Sequence, residues 1–77
     1  MDREELLSVL RHRGVADAEM WIEGVHQPQP PSPEFLFLRR AGNGWDTGVC
    51  ERGSWHVVAS FPDEAAACAH LLRLAEP

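Results

Sequence analysis

Residues 35–61 read FLFLRRAGNGWDTGVCERGSWHVVASF, and the fold turns on how that stretch divides. Phe35-Leu36-Phe37-Leu38-Arg39-Arg40 is rich in strand-favouring residues, and Gly42-Asn43-Gly44 is a turn signal. Strands from Trp45 to Cys50 and from Ser54 to Phe61 follow. The link between these last two admits two readings. A three-residue loop, Glu51-Arg52-Gly53 with Gly53 left-handed, sets Cys50 against Ser54, Val49 against Trp55, Thr47 against Val57 and Trp45 against Ala59. A two-residue turn at Arg52-Gly53 sets Val49 against His56 and scatters the apolar residues. A slip of one residue reverses the faces of a strand, so burial selects the register. The bulged three-residue loop is therefore expected. It places Trp45, Val49, Trp55 and Val57 on one face, with His56 and Val58 beside Asp46 on the other.

Upstream, Met20-Trp21-Ile22-Glu23-Gly24-Val25 reads as a first strand. It leads into a Pro-rich loop, residues 27–33, whose prolines forbid helix and ladder alike. Asp2 to Arg13 reads as a helix, with Asp2 and Glu5 spaced as a capping box and Leu6, Leu7 and Leu10 as its apolar stripe. Gly14 suits the left-handed residue after its end, and Val15 packs back onto the last turn. At the other end Pro62 suits a first helical position, Asp63 and Glu64 meet the positive end of the helix dipole, and Ala65, Cys68, Ala69 and Leu72 share a stripe. The expected architecture is α+β in one domain, residues 1–77. A helix (1–14) precedes a four-stranded antiparallel β-meander (19–61), and a helix (62–76) closes it, in the order α-β-β-β-β-α.

A chain of 77 residues buries only about 60% of the surface its unfolded form exposes, so three Trp and three Phe suffice for one core layer. Strand two is apolar on both faces, Phe35 and Phe37 on one and Leu36 and Leu38 on the other. Either it is a central strand covered on each side, or both helices cover one face and the other is left partly open for a partner.

Catalytic chemistry has little to work with. A hydrolase or transferase needs a nucleophile, a base and an orienting group. The candidates are Cys50, Cys68, His12, His26, His56 and His70, and no activating motif surrounds either cysteine. Cys68 lies in an alanine run that favours the neutral thiol. Cys68 and His70, two apart on a helix, point in different directions, and no paired ligand spacing completes a zinc site. The expectation is a protein with no enzymatic activity, cofactor or metal.

Seven Arg and no Lys face twelve acids, for a net charge of −5. That balance opposes nucleic-acid binding, which rests on neutralising phosphates, and favours attraction to a basic partner. The N-terminus is acidic and lacks a signal-peptide run, and no segment approaches membrane-spanning length. A cytoplasmic protein with two reduced cysteines is expected.

The skeleton Leu38-Arg39-Arg40, Gly42-Asn43-Gly44-Trp45, Glu51-Arg52-Gly53, Phe61, Glu64, Ala67-Cys68 and Leu71-Leu72 resembles small actinobacterial proteins associated with polymorphic-toxin loci. The likeness covers nearly the whole chain, with Ser54-Trp55-His56-Val57-Val58-Ala59-Ser60 more apolar than the corresponding strand of that group. It implies an immunity-type or accessory protein that binds a toxin domain, and it carries no catalytic residues over; the leading expectation is an immunity-type protein that binds and neutralises the toxin domain. An acidic patch that attracts a basic toxin domain would draw on Glu23, Glu34, Asp46 and Glu51, with His56 and Trp21 beside them. Two alternatives stay open: a homodimer that closes the open sheet face, or a small-ligand regulatory module with Trp21, Trp45 and Trp55 lining its pocket.

Overall fold

A computed structural model describes residues 1–76. Helix α1 (Arg3–His12) begins at Asp2, whose carboxylate accepts the Glu5 amide at 2.8 Å. It ends where Gly14 turns to φ 89°. The Gly14 amide then donates to the Arg11 carbonyl and the Val15 amide to the Leu10 carbonyl, both at 3.0 Å. That pair of bonds satisfies carbonyls the helix itself leaves open.

A short 3₁₀ turn (Asp17–Glu19) leads to β1 (Met20–Ile22), followed by β2 (Glu34–Ala41), β3 (Gly44–Glu51), β4 (Ser54–Phe61) and α2 (Glu64–Leu74). The α+β class and the strand order β1-β2-β3-β4 match the expectation. The purely antiparallel meander does not hold. β1 runs parallel to β2, with Met20 beside Leu36, Trp21 beside Phe37 and Ile22 beside Leu38. The first strand also stops at Ile22, because the chain folds back and the His26 amide bonds to the Ile22 carbonyl at 2.8 Å.

A parallel neighbour requires residues 23–33 to travel back along the sheet before β2 starts. Prolines suit that path: an extended, ladder-free segment covers about 3 Å per residue and offers few donors to compete for the sheet edge. The Ser32 amide bonds to the Ala18 carbonyl (2.8 Å) and the Pro33 carbonyl accepts the Arg52 amide (2.7 Å), fixing the end of the loop just before β2.

The expected β3–β4 register is also overturned. Glu51 pairs with Ser54, Cys50 with Trp55, Val49 with His56 and Gly48 with Val57. The turn is the two-residue one, with Arg52 at φ 50° and Gly53 at φ 86°. Positive φ at both positions matches the right-handed twist of the strands better than the longer loop. A bulge then inserts Val58, so that Thr47 pairs with Ala59 and Trp45 with Phe61. Side chains directly opposite one another share a face. Trp45 and Val49 therefore face one way while Trp55 and Val57 face the other, with Asp46. His56 sits on the Val49 side.

Both helices cover a single face. Leu6 and Leu10 of α1 and Ala67, Cys68 and Leu71 of α2 pack with Met20, Ile22, Leu38 and Trp45 in one buried cluster. Removing a Leu, Ile or Met side chain of this kind from water is worth about 1.5–3 kcal/mol. Helix α2 starts two residues later than a first helical position at Pro62 would set it: Asp63 is the N-cap, its carboxylate accepting the Ala66 amide at 2.7 Å. No helix among the described residues is long and apolar enough to cross a membrane.

Candidate functional site: the helix-free face of the sheet

The face opposite the helices carries its own aromatic cluster. Register builds it in rows. Phe35, Cys50 and Trp55 lie abreast on β2, β3 and β4, and Phe37, Gly48 and Val57 form the next row. Arg39, Asp46 and Ser60 form a third, and Trp21 on β1 stands beside Phe37. Small residues on β3 let side chains from its two neighbours meet above it. The Trp55 ring lies 4.8 Å from Phe37 and 5.4 Å from Phe35, centroid to centroid. It also meets Trp21 edge to face, at 5.3 Å and 88°. Such pairs add about 0.5–1.5 kcal/mol each beyond the area they bury.

Phe37 is fully buried beneath these rings although no helix covers it, while Trp55 remains 39% exposed. Arg39 completes the platform. Its guanidinium lies 5.2 Å from the Phe37 ring and 5.5 Å from the Trp55 ring, and 3.7 Å from an Asp46 oxygen. The other Asp46 oxygen accepts the Ser60 hydroxyl at 2.7 Å. Beyond Trp55, the outer strand β4 exposes Val57 and Val58.

The expected partner-binding residues do not converge. Trp21 and Asp46 belong to this platform. Glu23 is committed elsewhere: its carbonyl accepts Arg3 Nη1 at 2.7 Å and its carboxylate accepts the Arg40 amide at 3.0 Å. Glu34 and Glu51 are cross-strand partners at the far end of the sheet, both exposed, and like charges so placed repel. His56 is exposed on the helix side of β4. Phe35, Phe37, Arg39 and Trp55 belong to the platform and are absent from the sequence-derived set. The signal for them is the pair of apolar faces on strand two, which says that both sides of the sheet bury something.

The three tryptophans do not share a pocket. Trp45 is on the helix face, held between the guanidinium groups of Arg3 at 4.9 Å and Arg40 at 5.1 Å. Arg3 is itself bound to Glu64, which accepts from its amide at 2.9 Å and from Nε at 3.1 Å. A groove of ≈ 480 Å³ opens at the ends of the two helices, lined in part by Val15, Glu19, Glu34, Leu36, Val49 and Leu74, with no tryptophan.

The tightest contact between a hydroxyl and an imidazole is Thr47 Oγ1 to His70 Nδ1, at 2.7 Å. Thr47 is fully buried and His70 half-buried, and the pair ties α2 to β3. Cys50 and Cys68 are free and buried on opposite faces of the sheet. Among the described residues no group of three or more His, Cys, Asp or Glu side chains is gathered as a metal would need.

No family model, curated protein or solved structure matches this chain.

Proposed function

We propose that this chain is a small acidic protein-binding module whose contact surface is the helix-free face of the sheet. The observation that carries the reading is the platform of Trp21, Phe35, Phe37 and Trp55, left without a helix and topped by Arg39. Trp and Arg are the residues in which interface binding energy concentrates. Rigid rings already in contact lose little conformational entropy on docking. The net charge of −5 steers a basic partner toward the molecule. With the resemblance to proteins of polymorphic-toxin loci, this makes an immunity-type role the specific form of the proposal: stoichiometric binding of a basic toxin domain, in the cytoplasm and without catalysis.

The test uses the purified chain as bait in its native host, followed by titration calorimetry with the isolated partner. Wild type should retain a basic protein at a 1:1 subunit ratio, with an association rate that falls as salt rises. Arg39→Ala and Trp55→Ala should each weaken the complex about tenfold or more, in line with hot-spot losses above about 1.4 kcal/mol. A partner whose affinity ignores both substitutions would move the contact surface elsewhere and end this reading.

A further inference from the structure

We infer that the outer edge of β4 is the docking site for a second copy of this chain, paired antiparallel to form a continuous sheet. β4 is the last strand of the sheet, so one side of its backbone lacks a ladder partner. Natural edge strands are blunted with charge, proline or short length. Ser54–Phe61 is eight residues long and contains no Asp, Glu, Lys, Arg or Pro, in a chain with twelve acids. Two copies, each of net charge −5, can approach along this strand without setting like charges against each other on it.

The bulge makes the strand self-complementary. Full overlap about a two-fold axis sets Ser54 against the second copy's Phe61, Trp55 against its Ser60, and His56 against its Ala59. In a regular strand residues at these separations point to opposite faces, and such pairing would be excluded. Here Ser54, His56, Ala59 and Phe61 all face the helix side, and Trp55 and Ser60 the open side, because the inserted Val58 reverses the alternation midway. Each pair therefore shares a face.

The same register brings Arg52, exposed at the hairpin tip, toward the second copy's Asp63, exposed at the start of α2. Opposite charges thus meet at both ends of the joint. Glu51 stays one strand inward. The aromatic row of one copy then continues into the Ser60–Asp46–Arg39 row of the other.

Sedimentation equilibrium of the whole chain tests this, from about 1 μM to 500 μM, the range an eight-residue joint smaller than a standard interface calls for. Wild type should pass from monomer to dimer, with amides of β4 gaining exchange protection as dimer forms. Val58→Lys puts a charge on a side chain that is 53% exposed, so the fold should persist by circular dichroism while dimerisation weakens at least tenfold. Arg52→Asp, which suits the left-handed turn, should weaken it several-fold. A wild type monomeric throughout, a dimer indifferent to Val58→Lys, or β4 protection that appears only with a foreign strand would each overturn the inference. Arg39→Ala should leave the dimer intact, which separates this test from that of the platform.

Discussion

Phe37 lies across Gly48: a Cβ built on Gly48 would sit 2.7 Å from Phe37 Cζ and would collide with the His56 carbonyl oxygen. The pair explains how a ring on β2 and an indole on β4 come within 4.8 Å with a whole strand between them. The bare backbone of Gly48 leaves the space in which they meet. Gly48 is thus a packing residue, in contrast to Gly14 and Gly53, which are placed by positive φ.

Gly48→Ala should accordingly destabilise the domain by about 1–3 kcal/mol, the usual cost of overpacking, since both obstacles are held on neighbouring strands. Urea titrations followed by tryptophan fluorescence give the number. A neutral result would mean that the two sides of β3 are free to move apart.

Trp55→Ala and Val57→Ala separate the two β3–β4 registers. Both residues lie on the open face, where Val57 is 45% exposed and makes none of the aromatic contacts that Trp55 makes. Trp55→Ala should cost about 2–3 kcal/mol, below the 3–5 kcal/mol of a fully buried ring, and Val57→Ala under about 1 kcal/mol. Equal, large losses from both would instead place Val57 in the helix-side core, as the three-residue loop requires.

Local signals made much of the fold legible. The capping residue Asp2, the Gly14 terminator and the leucine stripe of α1 act within one or two turns, and each is realised as read. Two non-local features escaped. The parallel β1 depends on where residues 23–33 run, and a proline run states its stiffness and not its direction. The β4 register depends on Val58 as an inserted residue, and alternation assumed uniform along the strand cannot reveal a reversal halfway. The two-residue turn also hid the site. It pairs Trp55 with Cys50, away from Trp45 and onto the rings of Phe35 and Phe37, on a surface that is chiefly aromatic rather than acidic.

The pH dependence of stability should include a small contribution from Asp17. Arg11 donates two hydrogen bonds to its carboxylate, at 2.9 and 3.1 Å, and holds it below the usual carboxylate value. A depressed folded value means that the stabilisation is present above the unfolded pKa and is lost as pH falls through the folded one. Both side chains are exposed, so the effect is modest and salt-screened. Asp17→Asn should lower the melting temperature slightly at about pH 6, and the difference should shrink as pH falls through the carboxylate range. A difference that persists unchanged at pH 2 would show that the residue acts through something other than this ion pair.

The two thiols give a test of the core itself. Cys68 is fully buried among α2 and the sheet, and Cys50 is 2% exposed under the aromatic face. Burial first, then the nearby charge of Glu64, raises the Cys68 thiol from its ordinary 9.0 to about 11. The thiolate is the reactive form, so at pH 8 the native protein should resist a bulky disulfide reagent, whereas denaturation should release two reactive groups. Linkage gives a second readout. A thiol whose folded pKa is raised contributes stability that is complete below the unfolded value and falls as pH rises between the two, because the unfolded chain ionises first. Stability should therefore decline from about pH 9 toward pH 11, and Cys68→Ala should flatten that decline, whatever its cost at neutral pH. Rapid labelling of both thiols in the native protein, at a rate independent of denaturant, would mean that the sheet opens on both faces far more readily than its packing implies.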